Sequence, residues 1–409
     1  MFNEVPEHAE TLRLATFDAF DRLITLCIDE AVDGLLIAGD VFDSAAPTLG
    51  AELKFRDGLS RLAEQGIPSF VCHGNHDPLD GWRAGLDWPA ETHRFGIVPE
   101  SVPLKKDDAN SPLIYGISYP TRDVRENLIP LFPVSDPNRP AIGLIHANVG
   151  SNSEHASYAP CTIDDLVRTG YDYWALGHVH TRNILRTPED GAPVIVYPGN
   201  TQGRHPNETG PRGVYLVEID HDGLVSELQF KPLDVVRWDS IDLTIDGMDD
   251  EQDLIDALES KILDAQDSSE NRPLVYRIQI SGRGSVHTAL ERKRTLTDIR
   301  ENLNNQYSNQ SPFALCVGIT STTALPFDRA ELAQGGDFIA DLLALIDSVH
   351  SNPSELQKLS DEAGLTELYD NNRARKYLVD SAPNDAKLEA LVADAERLLL
   401  NGLLDEEAP

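Results

Sequence analysis

The chain predicts an α/β fold, and three observations carry that prediction. Helix-spaced apolar stretches alternate with short continuous apolar runs, the early runs end in Gly-Asp, Gly-Asn-His or His motifs, and later segments alternate with period two before the pattern turns wholly helical.

From Leu12 to Asp33 the residues Leu23, Ile24, Leu26, Cys27 and Ile28 follow a helix-like pattern, and the apolar run Val32 to Ala38 then reads as a buried strand ending at Gly39-Asp40. The pattern repeats. Arg56 to Gln65 is helical, Ile67 to Cys72 is a strand, and Gly74 to Asp77 sits at its end. Strands Ala141 to Ile145 and Tyr171 to Leu176 also stop where a histidine motif begins. Candidate ligands thus gather at the C-terminal ends of strands, where open α/β sheets place functional loops. Strands Val194 to Tyr197 and Val214 to Ile219 follow, and Pro232 marks a boundary. Beyond it, Ile241, Leu243 and Ile245 form a strand, Leu254, Ile255, Leu258 and Ile262 a helix, and Leu274, Tyr276, Ile278 and Ile280 another strand. A helix from Val286 to Leu303 and a strand from Phe313 to Ile319 complete a β-α-β-α-β unit. From Pro326 the chain reads as helical, with stripes at Phe338, Leu342, Leu345 and Ile346 and at Leu388, Leu391, Val392, Ala395, Leu398 and Leu399. Each stripe serves self-packing or partner docking. The expected domains are therefore 1–232, 233–325 and 326–409.

At 409 residues with 41% hydrophobic composition, the chain supports two or three domains with substantial cores. Cys27, Cys72, Cys161 and Cys316 are widely spaced without a C-x-x-C, which points to buried thiols in a reducing compartment rather than disulfides or a thiolate zinc site. No stretch approaches the roughly 20 apolar residues of a membrane span, so a cytoplasmic protein without membrane contact is expected. Lys+Arg 34 against Asp+Glu 68 gives a net charge of -34, which repels polyanions and argues against a stand-alone DNA binder. That acidity fits solubility or a saline cytoplasm; DNA would be met through local arginines, bound cations or a basic partner.

Four blocks carry the chemistry: Gly39-Asp-Val-Phe-Asp43, Gly74-Asn-His-Asp77, His146, and Gly177-His-Val-His180. A carboxylate at a strand end after glycine approaches metals closely, so Asp40 is suited to bridge two cations about 3.5–4 Å apart. Asp43 is expected to support the ligands by hydrogen bonding. Asn75 offers an amide oxygen, while His76 is free to hold a phosphate or protonate a departing oxygen, with Asp77 orienting it. His178 and His180 flank one residue, so on extended backbone they point the same way toward adjacent metals, joined by His146. His8, His73, His93, His155, His287 and His350 read as ordinary polar residues, and His205 lies close to the motif set. Nitrogen and oxygen donors together fit Mn²⁺, Fe²⁺ or Zn²⁺.

These blocks, in this order, resemble the calcineurin-like metallophosphoesterase superfamily. The strings Tyr171-Asp-Tyr-Trp-Ala-Leu-Gly-His-Val-His180, Tyr197-Pro-Gly-Asn-Thr-Gln-Gly-Arg-His205 and Gly213-Val-Tyr-Leu-Val-Glu218 narrow it to the SbcD-type DNA repair exonucleases. The resemblance implies a four-layer α-β-β-α sandwich, a small α+β capping domain and a helical C-terminal tail. It implies two divalent ions, with Mn²⁺ the family's metal: Asp40 bridging, Asn75, His146 and His178 on one, His180 on the other. It also implies His76 as the phosphate-contacting catalytic histidine, and Arg204 and His205 on the substrate side. The family reaction is hydrolysis of DNA phosphodiesters. DNA, an SMC-like coiled-coil ATPase and a second copy of the chain are the expected partners, with the Leu388 to Leu399 stripe suited to the ATPase. Two alternatives stand beside it: hydrolysis of small phosphate esters with the same metals, and a non-catalytic subunit binding DNA ends or an ATPase. The non-catalytic alternative is favoured because the family begins with an Asp-x-His on an earlier central strand, and nothing of that kind precedes Gly39. The expectation is an N-terminally shortened version of a longer product, with a weakened His180 metal and unpaired ladder groups on the neighbours of the absent strand.

Overall fold

The structure, a computed structural model, describes residues 6–81, 86–150, 158–327, 329–371 and 385–405. It divides into two compact units. One runs up to Ser240 and takes in Gln266–Tyr276 and Asn309–Leu315; the other holds Ile241–Ala265, Arg277–Ser308 and the chain from Cys316 on.

In the first unit, helix α1 (Pro6–Asp29) buries Ala15, Ala19, Leu23, Ile24 and Cys27, a single stripe at helical spacing. It begins earlier than the apolar pattern suggested, with proline in its first turn, where the missing N–H costs nothing. Strand β1 (Leu35–Ala38) follows, then α2 (Leu49–Glu64), capped by the Thr48 side chain on the Ala51 N–H. Next come β2 (Ser69–Cys72), β3 (Thr92–Arg94), β4 (Glu100–Pro103), β5 (Leu113–Gly116) and β6 (Ala141–His146). Helix α3 (Ile163–Arg168), closed by a Thr162–Asp165 capping box, precedes β7 (Tyr173–Gly177), β8 (Asn183–Arg186) and β9 (Val194–Tyr197). The hairpin β10 (Gly213–Ile219) and β11 (Val225–Pro232) comes after them.

These strands form a parallel sheet β1-β2-β3, the antiparallel pair β10-β11, and a six-stranded sheet ordered β4-β5-β6-β7-β9-β8. Within the last, β5, β6, β7 and β9 run parallel in the middle, and their apolar runs are buried on both faces. One core cluster joins Phe70 and Cys72 with Ile114, Ile142, Leu144, Tyr173, Val194 and Val196, so sheets pack face to face. A second packs α1 and α2 against Leu35, Val71 and Ile67. This is the mixed α/β architecture of helices flanking central sheets that the sequence predicted. Among the described residues no strand pairs with the outer edge of β1, and β10 pairs with β11 alone. Leu36, Ile37 and Ala38 are accordingly half-buried, whereas every residue of β2 is buried.

The remaining strands, β12 (Arg237–Thr244), β13 (Leu274–Ser281) and β14 (Ala314–Ser321), form one sheet in that order. Helix α4 (Glu251–Ser268) buries Leu254, Leu258 and Ile262 as its spacing required. The single helix expected from Val286 to Leu303 is instead two, α5 (His287–Leu290) and α6 (Thr295–Tyr307). Arg294 between them adopts a left-handed φ of 77°, which a continuous helix does not allow. Then follow α7 (Arg329–Ala333), α8 (Phe338–Ser351), α9 (Pro353–Glu362), α10 (Leu365–Asp370) and α11 (Asp385–Asp405). Ile339, Leu343 and Leu400 share one small core, and Val349, Leu356 and Leu388 another. Leu391, Leu398 and Leu399 stay exposed. Every described helix is too short or too polar to cross a membrane. All four cysteines are free and buried, as expected.

Candidate functional site

Four strand ends build the site. β1 runs into Gly39-Asp40, β2 into the His73–Asp77 loop, β6 ends on His146 itself, and β7 ends on Gly177 beside it, the two being register partners. Close approach dictates two glycines. A Cβ on Gly177 would lie 1.8 Å from the Ala38 carbonyl oxygen, and one on Gly74 would lie 2.4 Å from Asp40 Oδ1.

His146 is fully buried, and its ring is the organising element. Nδ1 sits 2.9 Å from the Ala38 carbonyl oxygen, an obligate acceptor, so the ring proton belongs on Nδ1 and Nε2 presents a lone pair. That lone pair faces Asn75 Oδ1 at 3.0 Å and Asp40 Oδ2 at 3.2 Å. With the Asn75 oxygen turned inward, three acceptors face one another, an arrangement that a second ring proton or a cation between them stabilises. The electrostatics agree. Burial works to raise the Asp40 carboxyl, but the His146 bond and charge and the His76 N–H hold it below the usual carboxylate range. Burial likewise works to lower His146, and Asp40 outweighs it, holding the imidazole above its usual value. His178 completes the group, its ring edge-on to His146 with centroids 5.2 Å apart.

Backbone strain marks the same residues. Asp40 at φ 52° and His178 at φ 97° are two of the few non-glycine residues with positive φ among those described, conformations retained where surrounding structure fixes them. Asp77 does much of that fixing for Asp40. Fully buried, it accepts the N–H groups of Asp40 (3.1 Å) and Gly74 (2.7 Å) on Oδ1 and that of Val41 (3.0 Å) on Oδ2. These bonds tie Asp77 to the backbone of the Asp40 loop, a task distinct from the expected one of orienting His76. His73 lies beneath, Nδ1 3.5 Å from Asp77 Oδ2, while Arg94 donates to its Nε2 and stacks over Trp88.

The second half of the site is more open. The His76 N–H donates to Asp40 Oδ1 at 2.8 Å, and its ring Nδ1 lies 3.2 Å from the Asp43 carbonyl oxygen. The Asp43 carboxylate pairs with Arg204. His180 Nδ1 donates to Glu208 Oε1 at 2.7 Å, and Glu208 Oε2 accepts the Arg204 N–H at 2.7 Å. Burial works to raise the Glu208 carboxyl, but the bonds from His180 and Arg204 and both their charges pull it down to about 2. Arg212, nearly buried, holds the His180 carbonyl at 2.5 Å and Asn200 Oδ1 at 3.1 Å. His205 is exposed and accepts the Asn207 N–H on its own ring, a local loop bond.

The structure thus brings Asp40, Asn75, His146 and His178 together, sets His76 against Asp40, joins Asp43 to Arg204, and leaves His205 in its loop. Sequence reasoning missed Glu208 and Arg212. The only signal for Glu208 was its place three residues after the Gly-Arg-His string. Among the described residues no group of three His, Cys, Asp or Glu side chains is placed to hold a metal ion. The donor set that fits a cation is narrower: one carboxylate, one imidazole and the Asn75 amide oxygen, a hard mixed set suited to a divalent first-row ion.

A family model described as calcineurin-like phosphoesterase matches residues 8–182, and one described as the middle domain of the metallophosphoesterase YhaO matches residues 238–351. The "uncharacterized metallophosphoesterase YhaO" of Bacillus subtilis (strain 168) is 32% identical over 337 residues, 82% of this chain and 80% of that protein. The DNA double-strand break repair protein Mre11 of Sulfurisphaera tokodaii is 28% identical over 276 residues, 65% of this chain and 67% of that protein. Its namesake in Saccharolobus solfataricus is 26% identical over 273 residues, 64% of this chain and 68% of that protein. Proteins of this family generally act on phosphate esters with divalent metals. With Gly-Asp, Gly-Asn-His-Asp and Gly-His-Val-His at strand ends around a buried histidine, and with that likeness running along most of its length, the chain belongs to the calcineurin-like metallophosphoesterase family.

Proposed function

We propose that this chain is a two-metal-dependent phosphodiester hydrolase that cuts DNA, a nuclease subunit of a DNA repair assembly. The observation that carries the reading is the convergence of Asp40, Asn75 and His146 on one point that favours positive charge. Those three and His178 would hold one divalent ion, Mn²⁺ in this reading, and Asp40 and His180 would reach a second. The chemistry such ions supply is Lewis-acid stabilisation of phosphate charge and activation of water.

The chain's own residues do the rest. His76, less enclosed than its neighbours and tied through Nδ1 to the Asp43 carbonyl, contacts the scissile phosphate and delivers a proton to the departing oxygen. Arg204, fixed by Asp43, lends positive charge to the substrate side of an otherwise acidic chain. Support for DNA as substrate comes from relatives whose names state double-strand break repair. An SMC-like ATPase docking on the exposed leucines of α11, a homodimer and a cytoplasmic location belong to the same reading.

Incubating the purified chain with linear duplex DNA and Mn²⁺ tests it. Cleavage is expected, with His76→Ala abolishing it while leaving Mn²⁺ binding intact; hydrolysis of a small diester with duplex DNA untouched would replace DNA with small substrates. A second reading, a subunit that binds DNA ends without cutting, draws on the lack of a three-residue His, Cys, Asp or Glu cluster among the described residues. DNA bound but uncut at saturating Mn²⁺ is the outcome that selects it.

A further inference from the structure

Beyond the predicted ligands, one carboxylate stands at the junction of the site's two halves. Glu208 Oε1 accepts the His180 Nδ1 proton at 2.7 Å, and Oε2 accepts the Arg204 N–H at 2.7 Å. The carboxylate side chain is only 15% exposed, so solvent does not compete freely for either oxygen. A neutral imidazole carries one ring proton, and a hydrogen bond from one nitrogen to a carboxylate fixes that proton there and leaves the lone pair on the other. Held through Nδ1, a neutral His180 presents an unprotonated Nε2. On the other side, the Arg204 backbone is anchored by the same carboxylate, while its guanidinium pairs with Asp43, whose carbonyl holds the His76 ring.

We propose that Glu208 is a positioning residue: it sets the tautomer and orientation of His180 for a divalent cation, and by the same carboxylate ties down the loop whose Arg204 reaches the Asp43–His76 side. The inference rests on the metal-dependent reading for its purpose, although the tautomer it predicts exists without metal. At His146, by contrast, the Nδ1 proton goes to a main-chain carbonyl. The His180 arrangement thus depends on a side chain that mutation can remove, with the Arg204 N–H losing its acceptor at the same time.

The test uses full-length protein with ¹⁵N-labelled histidine side chains, free of metal, in the parent and in Glu208→Gln, Glu208→Ala and His180→Asn, the last identifying the His180 signals. The parent is expected to show His180 with its proton on Nδ1. Glu208→Gln, with its amide oxygen toward His180, keeps that tautomer and gives up only the Arg204 N–H, which an NH2 cannot accept, while Glu208→Ala shifts it toward the Nε2-protonated form that free imidazole favours. Calorimetric titration with Mn²⁺ should then show affinity falling roughly 10- to 100-fold in Glu208→Ala and much less in Glu208→Gln. An unchanged His180 tautomer in Glu208→Ala overturns the proposal, as does equal loss of affinity in the Gln and Ala variants. Should Glu208→Ala not fold, Glu208→Gln decides alone: a parent-like tautomer and affinity sustain the proposal, and a lost tautomer ends it. Absence of Mn²⁺ binding in the parent would sink the metal-dependent reading, while the tautomer would still report on Glu208.

Discussion

The two halves of the site are held by different physics. The half containing Asp40, Asn75 and His146 is buried, and its anchoring bonds run to main chain: His146 to the Ala38 carbonyl, and Asp77 to three loop N–H groups. The half containing His76, Asp43, Arg204, His180 and Glu208 is more exposed, and most of its bonds join side chain to side chain or span a loop. A main-chain anchor in a dry setting resists motion, because leaving its partner unpaired costs the full desolvation of that partner. A partly exposed ion pair loses little, since water replaces it. The residues proposed to hold a cation therefore sit where precision is greatest, and those proposed to meet substrate sit where access is greater.

The sharpest way to break this contrast is Gly177→Ala. The new Cβ would meet the Ala38 backbone carbonyl with no flexible side chain to yield, so the loss should exceed about 4 kcal/mol, the range reserved for severe core disruption. Urea unfolding checks it, and a midpoint near the parent's would show that the buried half is softer than argued. Next in size is Asp77→Ala, which strips the acceptor from three N–H groups; at roughly 1–3 kcal/mol for each buried group left unpaired, a total of about 3 kcal/mol or more is expected from the same unfolding curves. Arg204→Ala should cost less than about 1 kcal/mol of stability, since Arg204 and Asp43 side chains are 41% and 66% exposed, yet it should slow DNA cleavage. A stability loss as large as that of Asp77→Ala would erase the distinction between halves. The smallest effect concerns thiols. Burial pushes Cys27 up to about 11 and Cys161 and Cys316 up to about 12, and raises Cys72 as well, so thiolate appears only as pH climbs toward those values. Native protein at neutral pH should resist alkylation at all four, Cys72 included, which lies at the base of the buried half; prompt labelling of Cys72, followed by mass spectrometry, would reveal opening there.

Legibility in the sequence divides along similar lines. Short continuous apolar runs placed β1, β2, β6, β7 and β9 within a few residues, the first four ending at a glycine or a histidine, because a strand in the interior of a parallel sheet needs an unbroken apolar run. The alternation at Leu274, Tyr276, Ile278 and Ile280 gave β13 for the complementary reason. The short edge strands β3, β4 and β8 escaped notice, being few residues long and polar in part. The break between α5 and α6 was also hidden, since periodicity does not report a single left-handed residue.

Asp40, Asn75, His76, His146, His178 and His180 were legible because their residue types are chemically narrow and each follows an apolar run. Local sequence alone determined that much: which side chains stand at strand ends, and in what order. Only the tertiary structure decided that the Ala38 carbonyl claims the His146 proton, that Asp77 serves the Asp40 loop, and that Glu208 holds His180. Each of those bonds joins segments far apart along the chain. The propensities and periods read from sequence act over a few residues, whereas the facing of lone pairs and donors is set by how sheets pack, and no local pattern encodes it.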